Sequence, residues 1–261
     1  MAGQRKRIVF LGSGNVAWHL APALATASDV VQIWSRNAEN ARLLAERIPG
    51  CEVTDSPDRI VSDADFYVIS VTDDAIPQVA RKLKHVSGTV IHTSGAFPLE
   101  ELKKILPEHK AGAFYPLQTF SKMSNPDISQ TPLLIEGDTD QTLHEILDLG
   151  KSVSANVREV NSDVRRKIHI AAVFACNFAN YLWDTADSFL KDKTPFDFTL
   201  LHPLLTETLK KAVAHGPHAS QTGPAVRNDI KTMESHLAEL DGESAEIYRY
   251  LSELIRRKHK K

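Results

Sequence analysis

Short apolar runs alternate with stretches of helical periodicity as far as about residue 160, and beyond it only the helical period remains. A period of two, or a short run of β-branched and aromatic residues, predicts a strand; recurrence at three and four residues predicts a helix. The strands fall at 8–11, 29–34, near Val53, and at 66–71, 89–92, 111–114, 133–136 and 157–160. Phe66-Tyr67-Val68-Ile69-Ser70-Val71 is the clearest buried strand among them. Helices are expected at 15–27, 38–48, 75–83, 98–106 and 141–152. Asn37 is placed to cap the second helix and Pro49-Gly50 to stop it. Pro22 removes a hydrogen bond inside the first helix and predicts a kink there. Strands alternating with helices call for an α/β fold with a doubly wound, mostly parallel sheet. The remainder reads as helices at 163–190, 197–214, 225–240 and 243–258. The expected organisation is an α/β domain over 1–160 and an all-helical C-terminal domain over 161–261.

A chain of 261 residues is long enough for two cores. Its 42% hydrophobic and 25% charged residues are those of an ordinary globular protein. A net charge of −2 offers no field to draw nucleic acid or an anionic membrane, and no apolar run nears the ~20 residues that span a bilayer. The basic residues 1–7 lead straight into the first strand and do not read as a signal peptide. The basic end, 256–261, reads as a solvated tail. Cys51 and Cys176, far apart in the chain, fit reduced thiols in a cytoplasmic protein.

The first strand runs directly into Gly12-Ser13-Gly14-Asn15-Val16-Ala17, and a helix follows. That is the Gly-x-Gly-x-x-Ala arrangement of a dinucleotide site. Gly12 permits the turn, Gly14 admits a pyrophosphate to the backbone, and Ala17 lets the helix lie close to the sheet. The phosphates then sit on the free amides of a helix N-terminus, with Ser13, Asn15 and Val16 around them. The second strand ends in Ser35-Arg36-Asn37, where an NAD site places a carboxylate for the ribose 2′-hydroxyl. Arg36 can pair with a 2′-phosphate, and Ser35 and Asn37 can donate to it, so NADP is the expected cofactor. The plainer alternative leaves Arg36 merely exposed and Asn37 a cap.

Ligands in such sheets bind beyond the carboxyl ends of the strands, which collects several further candidates. Thr72, Asp73 and Asp74 follow the fourth strand, beside the expected pyrophosphate and nicotinamide ribose, although Asp74 also suits a helix cap. His92-Thr93-Ser94-Gly95 sets a titratable ring and hydroxyls near the nicotinamide, or else forms a turn with His92 facing inward. Gln118 and Thr119, in Tyr115-Pro116-Leu117-Gln118-Thr119, face a substrate or lie on a surface loop. The long helix after Asp163 is apolar almost all round from Ile168 to Leu190 and is expected to be buried in the second domain or its interface. At ~100° per residue its polar exceptions His169, Asn180 and Asp187 align, with Asn177 and Asp184 nearby. That stripe is either functional or bonded to neighbouring helices. Gly223-Pro224 predicts a helix start with Arg227 in its first turn, a carboxylate site or a solvated cation. His215 and His218 lack partners at metal spacing, so no metal site is expected.

Gly12-Ser13-Gly14-Asn15-Val16-Ala17, His92-Thr93-Ser94-Gly95-Ala96, Tyr115-Pro116-Leu117-Gln118-Thr119-Phe120, His169-Ile170-Ala171-Ala172-Val173-Phe174 with Asn177, and Thr222-Gly223-Pro224-Ala225-Val226-Arg227-Asn228-Asp229 together carry a family resemblance. The chain resembles Rossmann-like proteins with a helical C-terminal domain of unknown function, labelled NADP oxidoreductases of the deazaflavin-coenzyme-dependent type. It is more distantly similar to pyrroline-5-carboxylate reductases, ketopantoate reductases and the 6-phosphogluconate dehydrogenase group. The resemblance implies NADP in a cleft between domains and a homodimer formed through the helical domain. The β-hydroxyacid dehydrogenases use Lys-x-x-x-Asn on the first interdomain helix, with the lysine as acid. With Asn177 as that asparagine, Val173 stands where the lysine would be. The expected function is hydride transfer between NADPH and a small, carboxylated carbonyl or imine substrate. Ser94 and Asn177 would position it, His169 or His92 would supply the proton, and Arg227 would hold the carboxylate. The alternative is a non-catalytic NADP-binding redox sensor or partner module.

Overall fold

The computed structural model describes residues 5–259. Residues 1–4 of the basic start and Lys260 and Lys261 of the basic end lie outside them. The chain divides into two compact units, the first ending at Cys176 and the second beginning at Asn177.

In the first unit the strands are β1 (Arg7–Leu11), β2 (Asp29–Trp34), β3 (Glu52–Thr54), β4 (Phe66–Ile69), β5 (Thr89–His92), β6 (Ala111–Pro116), β7 (Leu133–Gly137) and β8 (Val157–Glu159). They form one sheet in the order β3-β2-β1-β4-β5-β6-β7-β8. All neighbours are parallel except β6 and β7. The helices are α1 (Asn15–Ala25), α2 (Ala38–Ala45), α3 (Ile76–Ala80), α4 (Leu99–Ile105), α5 (Asp140–Lys151) and α6 (Ser162–Ala172). α1 carries on through Pro22 to Ala25.

Alternation along β1 builds the core on both faces. Ile8 and Phe10 join Leu20 and Leu24 of α1 and Ile146 of α5. Val9 and Leu11 join Ile76 and Val79 of α3 and Leu102 of α4. The strand order reverses at β1 and β4, the switch point where doubly wound sheets bind ligands. Register aligns the strand ends there: Leu11 opposite Trp34 and Ile69, Ile69 opposite His92, His92 opposite Ala113. The residues that follow these ends form one rim.

α6 belongs to the first unit and is fixed at its start. Asn161 caps it, accepting from the Val164 amide. The Glu136 carboxylate at the end of β7 accepts from the Ser162 amide (2.9 Å) and hydroxyl (2.7 Å), placing negative charge at the helix N-terminus. Arg165, fully buried, pairs with Glu136 and donates to the Phe97 carbonyl (2.7 Å).

The helix that periodicity drew as one uniform rod over 163–190 is interrupted. Val173–Phe178 is π-helical, and α7 (Ala179–Lys193) follows. A wider turn breaks the 100° step, so the stripe of His169, Asn180 and Asp187 is not maintained. Asp187 instead accepts from the Phe198 amide (3.2 Å) and pairs with Lys191. The second unit continues with α8 (His202–His215), α9 (Ile230–Ala238) and α10 (Gly242–His259). The basic end is thus helical as far as His259. Within one chain the helical unit does not cover the stretch 168–190: Ile170, Phe174, Phe178, Tyr181, Leu182 and Trp183 are exposed, so of the two places expected to bury it the second domain's own core is not the one. Among the described residues of 177–261, Ala225 and Met233 are the only buried hydrophobics.

Candidate active site

Gly12 is the tightest point of the rim. Its φ is +118°, and a Cβ there would lie 2.1 Å from the Ser70 carbonyl oxygen, so only glycine lets β1 turn over the end of β4. Two residues on, a Cβ at Gly14 would meet nothing within 4 Å, which leaves open space above the backbone. Gly14 caps α1 without a side-chain hydrogen bond, and the first turn holds no acidic residue. The first amides of α1 are therefore free to bind an anion. A cavity of about 890 Å³ opens above them. It is lined by residues 12–16 and 35–37, by Thr72 and Asp73, and by residues 93–95, Tyr115 and His169.

At the β2 end, Ser35 and Asn37 spend much of their hydrogen bonding on the turn itself. The Ser35 hydroxyl accepts from the Ser13 hydroxyl (2.9 Å) and the Asn37 amide (3.2 Å), while Asn37 caps α2 by accepting from the Asn40 amide (3.0 Å). Arg36 is exposed and pairs with no carboxylate among the described residues. Its guanidinium lines the cavity with its charge unneutralised, which leaves it able to meet a phosphate. Asn40, Asp55, Gln78 and Lys82 also line the cavity and were not anticipated. Asn40 follows from the cap spacing; Gln78 and Lys82 lie four residues apart on the helical stretch after β4, and Asp55 follows β3.

At the β5–β6 end, Tyr115 on β6 and His169 on α6 meet. The phenol oxygen is 2.9 Å from His169 Nδ1, and the rings stand edge to face. Both are half-buried. Burial, reinforced by the charge of Asp73, raises the Tyr115 pKa, so the phenol keeps its proton at neutral pH. Gly95 packs beneath the pair: a Cβ there would lie 2.8 Å from both rings. Ser94 lines the cavity while its hydroxyl accepts from the Ala96 (3.0 Å) and Phe97 (2.9 Å) amides.

His92 does not fit the role of proton source expected of it. It is wholly buried, its Nδ1 accepts from the Ser94 amide (3.2 Å), and its ring packs edge-on to Phe97. Burial, with a smaller effect of the Arg165 charge, pushes its pKa down to about 3. The ring stays neutral and serves the turn. Asp74, Gln118 and Thr119 are exposed and are not among the residues lining the cavity. Gln118 instead accepts from the Thr119 amide (2.9 Å). Asn177 is exposed within the π-helical segment and opens the second unit. Arg227 is not in the first turn of a helix. Residues 224–228 form a turn, α9 starts at Ile230, and Asp229 fills its N-terminus by accepting from the Thr232 amide. Proline and glycine marked a turn there, and the capping aspartate marked the helix.

Two family models match the chain. Residues 7–94 match "NADP oxidoreductase coenzyme F420-dependent", and residues 131–255 match the domain of unknown function DUF2520. Among solved structures, one named as an NADP oxidoreductase from Bacteroides fragilis is 31% identical, with a TM-score of 0.91 over 97% of this chain and 98% of that one. A pyrroline-5-carboxylate reductase from Coxiella burnetii shares the fold at 16% identity and TM-score 0.59, covering 98% of each chain. A reductive aminase from Aspergillus terreus, in complex with NADPH and ethyl levulinate, does so at 14% identity and TM-score 0.70, covering 97% of this chain and 93% of that one. No protein of curated function matches the sequence. The two family-model matches and the 31% identity sustained along both chains lead to one assignment: this chain belongs to the family of NADP oxidoreductases with a Rossmann domain followed by a DUF2520 domain, the family of the Bacteroides fragilis protein.

Proposed function

We propose that the protein transfers a hydride between NADPH and a small carbonyl or imine substrate. One observation carries the reading: a single cavity joins the α1 amides and Arg36 to Ser94, Tyr115 and His169. Bound NADPH supplies a hydride from the nicotinamide C4. Around it, Gly12 and Gly14 admit the pyrophosphate to the amides of Asn15 and Val16, and Arg36 pairs with the 2′-phosphate. Ser13, Ser35 and Asn37 hold the turn, Thr72 and Asp73 lie by the nicotinamide ribose, and Ser94 orients the substrate. His169 is the source of the proton. Asn177 stays a candidate for substrate positioning and Arg227 for a substrate carboxylate, on the chemistry of their side chains.

The test follows NADPH absorbance against a panel of 2-keto acids, cyclic imines and a deazaflavin. Oxidation with one of them supports the reading. Tight NADPH binding without turnover would replace it with the redox-sensor reading, which the valine at position 173 favours. Arg36→Ala should raise the Kd for NADPH about 10-fold and leave that for NADH unchanged, read by fluorescence titration. Equal losses for both would remove Arg36 from the 2′-phosphate.

We also propose a homodimer formed through residues 161–261, since α7, α8 and α10 bury none of their residues within one chain. Sedimentation velocity at micromolar concentration should show a dimer, and Trp183→Glu should yield a monomer. A cytoplasmic location fits Cys51 and Cys176, both free thiols. No helix among the described residues is long and apolar enough to cross a membrane.

A further inference from the structure

We propose that the proton reaches the substrate through Tyr115, with His169 acting behind it as the group that reloads the phenol. The inference rests on the hydride-transfer reading above. Tyr115 lies in β6, the strand beside β5, two residues beyond the partner of the last β5 residue. It therefore shares the cavity rim with Ser94 and Gly95, which follow β5. His169 comes from a separate element, and α6 is locked in place by the Glu136 and Arg165 contacts at its start. Residue 169 lies four past Arg165, on the same face of the helix, so anchoring Arg165 to β7 also directs His169 toward the sheet. Gly95 supplies an independent sign that the pair is built in. A side chain of any size there would collide with both rings, so the turn is shaped around their contact.

The hydrogen bond joins the phenol to Nδ1 of the imidazole. With neutral histidine, Nδ1 accepts the phenol hydrogen; with imidazolium, Nδ1–H donates to the phenol oxygen and the phenol hydrogen turns outward. In the reduction, the two electrons of the hydride from NADPH form the new C–H bond. The π pair of the C=O or C=N bond moves onto oxygen or nitrogen and takes the Tyr115 proton. When His169 enters the step as imidazolium, the phenolate takes its Nδ1 proton and leaves neutral imidazole with the proton on Nε2; solvent hydronium then restores the imidazolium, so each turnover consumes one proton from solution. Oxidation of the alcohol or amine runs the same steps backwards.

The test does not depend on which substrate is physiological. In protein labelled with ¹⁵N-histidine, the His169 signals are assigned by their loss in His169→Ala. Neutral His169 should carry its proton on Nε2, with Nδ1 shifted by accepting from the phenol. Tyr115→Phe and Gly95→Ala should each abolish that shift; an unchanged Nδ1 signal in Tyr115→Phe overturns the pair. The kinetic arm uses pyruvate and 1-pyrroline as carbonyl and imine probes with NADPH. Tyr115→Phe should lower kcat about 10²-fold with the Kd for NADPH unchanged, which also reports an intact fold. His169→Ala should lower kcat about 10-fold without raising KM, and added imidazole should restore part of the rate. A probe reduced normally by Tyr115→Phe overturns this inference alone. Failure of the wild-type protein to oxidise NADPH with these probes and with every member of the panel above, while binding NADPH, overturns the inference together with the oxidoreductase reading.

Discussion

Arg165→Ala should destabilise the protein by about 3–5 kcal/mol, lowering its melting temperature by roughly 10 °C. The guanidinium is fully buried and its partner Glu136 nearly so, with 16% of that side chain exposed. Truncating the arginine leaves a carboxylate in a poorly solvated place, and the penalty comes mainly from that stranded charge. Glu136 also holds the Ser162 amide and hydroxyl, so the start of α6 should loosen as well. Arg165→Met combined with Glu136→Leu is the control. Removing both charges should recover a large part of the loss, measured by thermal or urea unfolding. Equal destabilisation by the single and double variants would mean that the charges themselves contribute little.

Gly12→Ala should eliminate measurable NADPH binding and cost about 3 kcal/mol or more of stability. The backbone there has φ +118°, which strains any residue with a Cβ. The added carbon would also press on the Ser70 carbonyl, a backbone atom that cannot swing aside. Relief requires β1 and β4 to part at their carboxyl ends, where the α1 amides are presented. Calorimetry with NADPH and a melting curve test this together. A variant that melts normally and still binds would show that the turn can be rebuilt without glycine.

The parts of this molecule legible from its residues alone are those whose cause is local. A run such as Phe66-Tyr67-Val68-Ile69 has few places to go but the middle of a sheet. Gly12 and Gly14 sit where strand meets helix, so their meaning follows from their neighbours. The proton-handling end is different. Tyr115 and His169 are 54 residues apart and meet only because β6 and α6 converge, which no periodicity announces. Arg165-Arg166-Lys167 looks like a solvated basic stretch, yet Arg165 turns inward because it shares a face with His169 while its neighbours pair with Asp163 at the surface. His92 misleads for the opposite reason. A histidine at the end of a buried strand looks like chemistry, but full burial holds its ring neutral. The π-helical turn at Val173–Phe178 leaves no mark in the sequence, so a polar stripe drawn through it does not survive folding.

The thin interior of the helical unit bears on how this protein should be handled. Helices that bury almost nothing alone have little to resist unfolding, and on the pairing proposed here most of their stability comes from association. Stability of that kind follows mass action, so it has no single value. The melting temperature of the helical unit should climb as the protein is concentrated and fall on dilution, whereas the strand-built unit, with a core on both faces of its sheet, should melt at the same temperature throughout.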